Sequence, residues 1–198
     1  MADKEFFEKY IKIFLTQNAK LNLISKNDEK YLWEKHIFDS LSIEQFFKTV
    51  DTPGMKLLDI GTGGGFPAVP IALSRPEIEV YALDSIRKKI NAVENIKHEL
   101  QIKNLHTICD RAENIKAKFD IVTSRAVASL KVISGYALPL LKQGEYFIAY
   151  KSRKVEEEIS EAEDVLHKYQ AKIVEIISYE LPLAETHTRN LVVVKKGT

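Results

Sequence analysis

Residues 57–72 read LLDIGTGGGFPAVPIA, an apolar run that reaches Asp59 and is followed by four glycines in the five positions 61–65. Few folds use so much bare backbone behind a buried strand. In an open parallel sheet, ligands bind beyond the carboxyl ends of the strands, near the point where strand order reverses. Glycines at such an end take positive φ and let a ligand approach closely, because they carry no Cβ. A tight strand-to-helix turn with no ligand is the plain alternative.

The surrounding pattern supplies the sheet. From Lys56, short apolar runs (KLLDI, EVYALD, LHTI, FDIVTS, GEYFIAY) alternate with amphipathic stretches at Pro67 to Ser74, Ile86 to Leu100, Leu130 to Leu141 and Val155 to Lys168. Such alternation predicts βαβ units and a parallel sheet covered on both faces. KIVEIISYEL and NLVVVKK then follow with only a loop between them and are expected to pair antiparallel, giving a mostly parallel seven-stranded sheet. Before residue 56 the pattern is helical. Phe6, Phe7, Tyr10, Ile11 and Phe14 form a stripe on a helix fading near Asn18, and a second helical segment starts at about Asp28, carries Tyr31, Leu32, Ile37, Leu41 and Phe46, and ends at DTPG.

At 198 residues the chain fits one structural unit, read as a helical extension over 1–55 packed on a core over 56–198. Apolar residues at 45% and charged residues at 29% exclude a disordered chain. The formal net charge of +1 means that any polyanion must be held by cations gathered on one face. Cys109 is the only cysteine, which excludes intramolecular disulfides and thiolate clusters; no metal site is expected. The start MADKEFFEKY is too charged for a signal peptide, and no apolar run approaches a membrane span, so a cytoplasmic protein is expected. The sequence does not fix the oligomeric state, for which a monomer is the expectation.

Two cofactor classes compete for the glycine loop. A dinucleotide motif, counted from Gly61, would need a third glycine or alanine where Phe66 stands. D-x-G-x-G-x-G, here Asp59, Gly61, Gly63 and Gly65, resembles instead the first motif of class I S-adenosylmethionine-dependent methyltransferases. Asp84 closes the second strand, where a carboxylate can accept both ribose hydroxyls; it could equally cap a helix beginning at Ser85. Cys109 to Glu113 follows the third strand on the same edge, as an adenine-contacting loop or an ordinary turn.

Beyond that loop, GTGGGFPAVPIALSRPEIEVYALDSIRKKINAVENIKHEL (61–100), DRAENI (110–115), SRAVASL (124–130), HIFDSL (36–41) and TRNLVVVKK (188–196) together resemble the RsmG (GidB) family. Members are bacterial methyltransferases that act on N7 of a guanine in the 530 loop of 16S ribosomal RNA. The resemblance implies a class I methyltransferase (Rossmann-like) fold, S-adenosyl-L-methionine as cofactor, and 16S ribosomal RNA, within the small subunit or a precursor, as partner. The chain is short for the family between SRAVASL and the tail. The chemistry is consistent. Cys109 lacks the Pro-Cys context of a cytosine C5 nucleophile, and Ser124-Arg125-Ala126 stands where adenine amino methylation commonly uses Asp/Asn-Pro-Pro-aromatic. Guanine N7 carries a lone pair and no proton, so positioning replaces a general base.

The candidate cofactor set is Asp59, Gly61, Thr62, Gly63, Gly65, Phe66, Asp84, Ala112, Glu113 and Arg125. Arg125, after the fourth strand, has a fork suited to guanine O6, a phosphate or stacking, against an ordinary ion pair; Lys151 could hold a phosphate or be a solvated strand end. His36, Asp39 and Ser40 share one helical face, and His187, Arg189 and Asn190 precede the last strand. By resemblance the first group packs over the cofactor pocket and shapes the substrate mouth, with His36 and Asp39 as RNA contacts or His36 as a satisfied structural histidine, and the second forms a loop near the mouth that offers RNA contacts. A Ser/His/Asp hydrolase is disfavoured, because no G-x-S-x-G elbow exists. Arg87, Lys88, Lys89, Lys97, Lys103, Lys142, Arg153 and Lys154 could form a basic rim or simply solvated faces. Methyl transfer to a small molecule or protein is the alternative function, and binding without catalysis a third.

Overall fold

In the computed structural model, which describes residues 3–152 and 155–197, the segment before Lys56 is helical with no strand among its described residues. A 3₁₀ turn at Glu5–Phe7 leads into α1, Glu8–Leu21, which buries Tyr10 and Phe14 as their spacing predicts. Helix α1 runs three residues past Asn18 and stops where Asn22 takes left-handed backbone, with φ 50°.

The second helical segment is broken where the sequence predicts continuity. It consists of α2 (Lys26–Glu29), a π-helical stretch at Trp33–Phe38, α3 (Asp39–Leu41) and α4 (Glu44–Phe47). Apolar spacing hides this, because Ile37, Leu41 and Phe46 are buried despite the wider turn. A π-helical turn moves carbonyls off their usual partners. Two are satisfied by side chains instead: the Lys35 carbonyl by Arg125 and the His36 carbonyl by the Ser40 hydroxyl.

From Lys56 the elements alternate: β1 (Lys56–Ile60), α5 (Ala68–Ser74), β2 (Glu79–Leu83), α6 (Arg87–Leu100), β3 (Leu105–Ile108), β4 (Phe119–Arg125), α7 (Leu130–Leu140), β5 (Leu141–Lys151), α8 (Val155–Lys168), β6 (Ala171–Leu181) and β7 (His187–Lys196). Across the sheet the order is β3-β2-β1-β4-β5-β7-β6. β7 runs antiparallel to both neighbours, and every other pairing is parallel. Strand order therefore reverses between β1 and β4, where the glycine loop leaves the sheet. On the outermost strand, β6, the register shifts between Ile173 and Glu175.

Alternation along the strands divides the core into two layers. Leu57 and Ile121 face a cluster with Phe7, Phe14, Ile37 and Phe46 of the amino-terminal segment, Val69 and Ile71 of α5 and Val93 and Ile96 of α6. Leu58 and Val122 face α7 and α8 through Leu130, Ile133, Ala137, Ala162 and Leu166. The amino-terminal helices thus close one face of the sheet with α5 and α6. At the other end of the sheet, Lys118 and Lys196 donate to the Pro139, Leu138 and Leu141 carbonyls that end α7. No helix among the described residues is long and apolar enough to cross a membrane.

Gly65 has φ +96°, and a Cβ built there falls 2.6 Å from Cγ2 of buried Val69, whereas Gly54 has φ +77° with open space around it. Gly54→Ala is expected to cost about 1 kcal/mol for the left-handed backbone alone. Gly65→Ala should cost about 2–4 kcal/mol, because overpacking is added. Urea unfolding of both variants checks this; equal losses would show that the turn relaxes.

Candidate active site

At the carboxyl end of β1 the glycine loop folds back onto β2. The amides of Gly61 and Thr62 donate to the Leu83 carbonyl at 2.8 and 2.9 Å, and the Gly63 amide donates to Asp84 Oδ2 at 3.0 Å. The other carboxylate oxygen of Asp84 accepts from the Ile86 amide at 2.9 Å, and Lys89 Nζ lies 4.0 Å from Oδ2. Asp84 therefore fixes both the loop and the approach to α6, which begins at Arg87 rather than Ser85.

A cleft of about 460 Å³ opens beside this loop, bounded by Gly61, Asp84, Ser85, Lys89, Asp110 to Glu113, Ala126, Val127 and Tyr136. Of the expected cofactor set, Gly61, Asp84, Ala112 and Glu113 meet on its wall. Asp59 and Thr62 are buried instead. Asp59 accepts from the Thr123 hydroxyl at 3.0 Å, and burial pushes its carboxyl up to about 7. Gly63 and Gly65 shape the loop's return, the latter over α5. Val127 and Tyr136 are wall residues the motif reading missed; their signal is exposure of large apolar side chains, 45% and 38%. A Cβ at Gly61 would meet Val127 Cγ2 at 2.5 Å, so the bare position lets Val127 pack directly on the loop. An accepting carboxylate beside bare backbone, facing an apolar ledge, is an arrangement that suits a nucleoside.

A second cleft, of about 500 Å³, adjoins the first at Ala126, which lines both and has φ 56°. Arg125 forms its floor. Nη1 donates to the Lys35 carbonyl at 3.0 Å and to Asp39 Oδ2 at 2.9 Å, and Nη2 donates to His36 Nδ1 at 3.0 Å. The guanidinium lies 5.3 Å from the Phe66 ring centroid, and His36 packs on the same ring at 5.1 Å. Phe66, expected to bind cofactor, is thus a buried platform for the arginine, backed by Tyr10 and Phe14. Burial, then the neighbouring Arg125 charge, lowers His36 to about 4, so the ring is neutral and Nδ1 accepts. Asp39 completes the group by accepting from the Tyr179 hydroxyl at 2.7 Å.

Other expectations change. Lys151 is no solvated strand end: its Nζ is 2.7 Å from both Glu158 Oε2 and the Ala128 carbonyl, and its side chain is 9% exposed. Ser40 donates back into its own helix, to the His36 carbonyl, while His36 Nδ1 serves Arg125, so no hydrolase triad is assembled. Asn190 is buried, donating to the Ser152 carbonyl and accepting from Ser178, which joins the ends of β5, β6 and β7. Arg189 and His187 do line the second cleft. Arg87 and Lys88 are exposed on the first turn of α6, outside both cleft walls. Lys97 pairs with Glu94, and Lys142 pairs with Asp120 at the opposite end of the sheet, so these two do not join a rim at the clefts, whereas Lys89 lines the first cleft; Arg153 and Lys154 lie outside the described residues.

The His36 ring should titrate at about 4, followed by its ring-proton NMR shift, against an ordinary 6.5. A depressed folded value means that stability from the neutral ring is complete above about pH 6.5 and is lost as pH falls toward 4. Arg125→Met removes the neighbouring charge and is expected to move that midpoint upward; an unchanged midpoint would mean that burial acts alone.

Comparison with known proteins fits this geometry. Residues 3–191 match the family described as GidB, rRNA small subunit methyltransferase G. The ribosomal RNA small subunit methyltransferase G of Staphylococcus saprophyticus is 36% identical, covering 99% of this chain and 84% of that protein. The protein of the same name from Alkaliphilus oremlandii is 39% identical, covering 95% and 80%. Among solved structures, M. jannaschii TYW2 in complex with AdoMet has a TM-score of 0.62 at 13% identity, covering 80% of this chain and 76% of that one. TrmN from Thermus thermophilus has a TM-score of 0.61 at 17% identity, covering 82% and 53%. These last two share the fold, and the sequence matches define the lineage: the chain belongs to the GidB family of rRNA small subunit methyltransferase G proteins.

Proposed function

We propose that the protein transfers a methyl group from S-adenosylmethionine to N7 of a guanine in the 530 loop of 16S ribosomal RNA, within the small subunit or a precursor, acting as a cytoplasmic monomer. Family membership supports the substrate. One observation carries the chemistry: each carboxylate lining the second cleft is already engaged, Asp28 with Lys35, Asp39 with Arg125 and Tyr179, and Glu158 with Lys151 and the Leu130 amide. A cleft so arranged suits a nucleophile that needs no proton removed, and guanine N7 is one.

When bound, the cofactor supplies a methyl group made electrophilic by its sulfonium. The chain does the rest by placement. Asp84 would take the ribose hydroxyls, the backbone at Gly61 would admit the cofactor closely, and Ala112, Val127 and Tyr136 would flank its ring. Arg125 has made three of the five N–H bonds open to it, so two remain for the base edge in the adjoining cleft. The junction at Ala126 then sets the approach of N7 to the methyl group, and positioning supplies the rate.

Cells lacking the protein should lose N7 methylation at the 530 loop, mapped by base-specific cleavage of isolated 16S ribosomal RNA; unchanged modification would overturn the assignment. Asp84→Ala should weaken cofactor binding about 10- to 100-fold by calorimetry, because charge-assisted hydrogen bonds contribute about 1.5–3 kcal/mol each. Undiminished affinity would remove Asp84 from the cofactor site.

A further inference from the structure

Tyr179 lies on β6, the outermost strand and 140 residues along the chain from Asp39, yet its hydroxyl donates to Asp39 Oδ1 at 2.7 Å. We propose that Tyr179 is a positioning residue for methyl transfer, which through Asp39 fixes the Arg125 guanidinium so that it can grip guanine without occupying N7. The inference rests on the functional reading above.

Asp39 is 4% exposed and divides its oxygens, one to Tyr179 and one to Arg125. The Lys35 carbonyl and His36 Nδ1 fix the guanidinium further, with the Phe66 ring against it. Burial and the Asp39 charge keep the Tyr179 hydroxyl protonated, so it is always a donor. Close packing places the ring but does not require its hydroxyl. The ring packs against the core and, with Phe38 and Leu41, borders a separate cavity of about 670 Å³, while the hydroxyl bond adds the polar constraint that ties the strand to Asp39.

Immobility matters because of what arginine does to guanine. A mobile guanidinium takes O6 and N7 together, the commonest arginine–guanine contact. That contact would block the lone pair that must attack. Three bonds to protein groups hold Arg125 in one orientation and leave only the Nε–H and one Nη2–H to meet the base. Removing the Tyr179 hydroxyl frees the Asp39 carboxylate to turn about its own bond and so loosens one of the three bonds that orient Arg125.

Tyr179→Phe is the test, because it removes one oxygen and keeps the ring. With small subunits lacking the modification as substrate, kcat is expected to fall about 10- to 100-fold, while KM for the particle does not rise and cofactor affinity by calorimetry is unchanged. In ¹⁵N-labelled protein at low temperature, the Arg125 Nη–H signals should be resolved in the wild type and averaged in the variant. Unchanged kcat, or unchanged guanidinium signals, would overturn the proposal. So would a kcat loss matched by loss of cofactor affinity or of cooperative unfolding, which would mark a structural role alone. Should the wild type methylate no ribosomal RNA, the functional reading fails, and the guanidinium signals alone then decide whether Tyr179 holds Arg125.

Discussion

The ion pair between Arg125 and Asp39 joins the two halves of this molecule. Arg125 ends the fourth strand of the sheet, and Asp39 belongs to the helical segment that precedes the sheet in sequence. The pair is nearly enclosed, with side chains 15% and 6% exposed, so neither partner can lose the other cheaply. Removing one member of a buried pair costs about 3–5 kcal/mol, because the remaining charge has no water to turn to. The helical segment is therefore part of the site's wall, and the strand end cannot reach its working geometry without it.

Most of the cations at the second cleft are matched by carboxylates: Lys35 by Asp28, Arg125 by Asp39 and Lys151 by Glu158. Lys35, Arg125, Lys151 and Arg189 line it with Asp28, Asp39 and Glu158, four cations against three carboxylates. At those three pairs the floor suits a neutral planar base better than a phosphate, which would have to displace a carboxylate already at hydrogen-bond distance. With a whole-chain formal charge of +1, attraction for the RNA backbone has to come from local cations outside these pairs.

Much of this was legible in the residues, and the boundary of legibility has a physical cause. Glycine density, the acid closing the second strand and the strand–helix alternation are local signals, because backbone freedom and burial periodicity act over a few positions. Helix and strand limits from Ala68 to Lys168 accordingly fall within a few residues of the pattern. What lies beyond a sequence reading is partnership. Nothing near Lys151 in sequence announces that its ammonium faces Glu158 in the next helix, or that Phe66 underlies Arg125 rather than facing a ligand. The π-helical stretch escaped for another reason: it preserves the burial of Ile37 and Leu41 while turning Lys35 and His36 toward a strand some 90 residues away. Tyr179 had no local signal, because its role is set by a neighbour 140 residues distant.

The insertion of β7 between β5 and β6 has a consequence for the order of assembly. Strand β6 pairs only with β7, and Leu191 to Val194 of β7 lie fully inside the core. During synthesis β6 emerges with no strand to lie against until β7 follows, so Tyr179 cannot reach Asp39 before then. The helices and the first five strands can collapse earlier, as amino-terminal parts of a chain commonly do. The arginine would still lack its last constraint, so a nascent chain would hold a formed cleft at the glycine loop beside an unfinished one at Arg125.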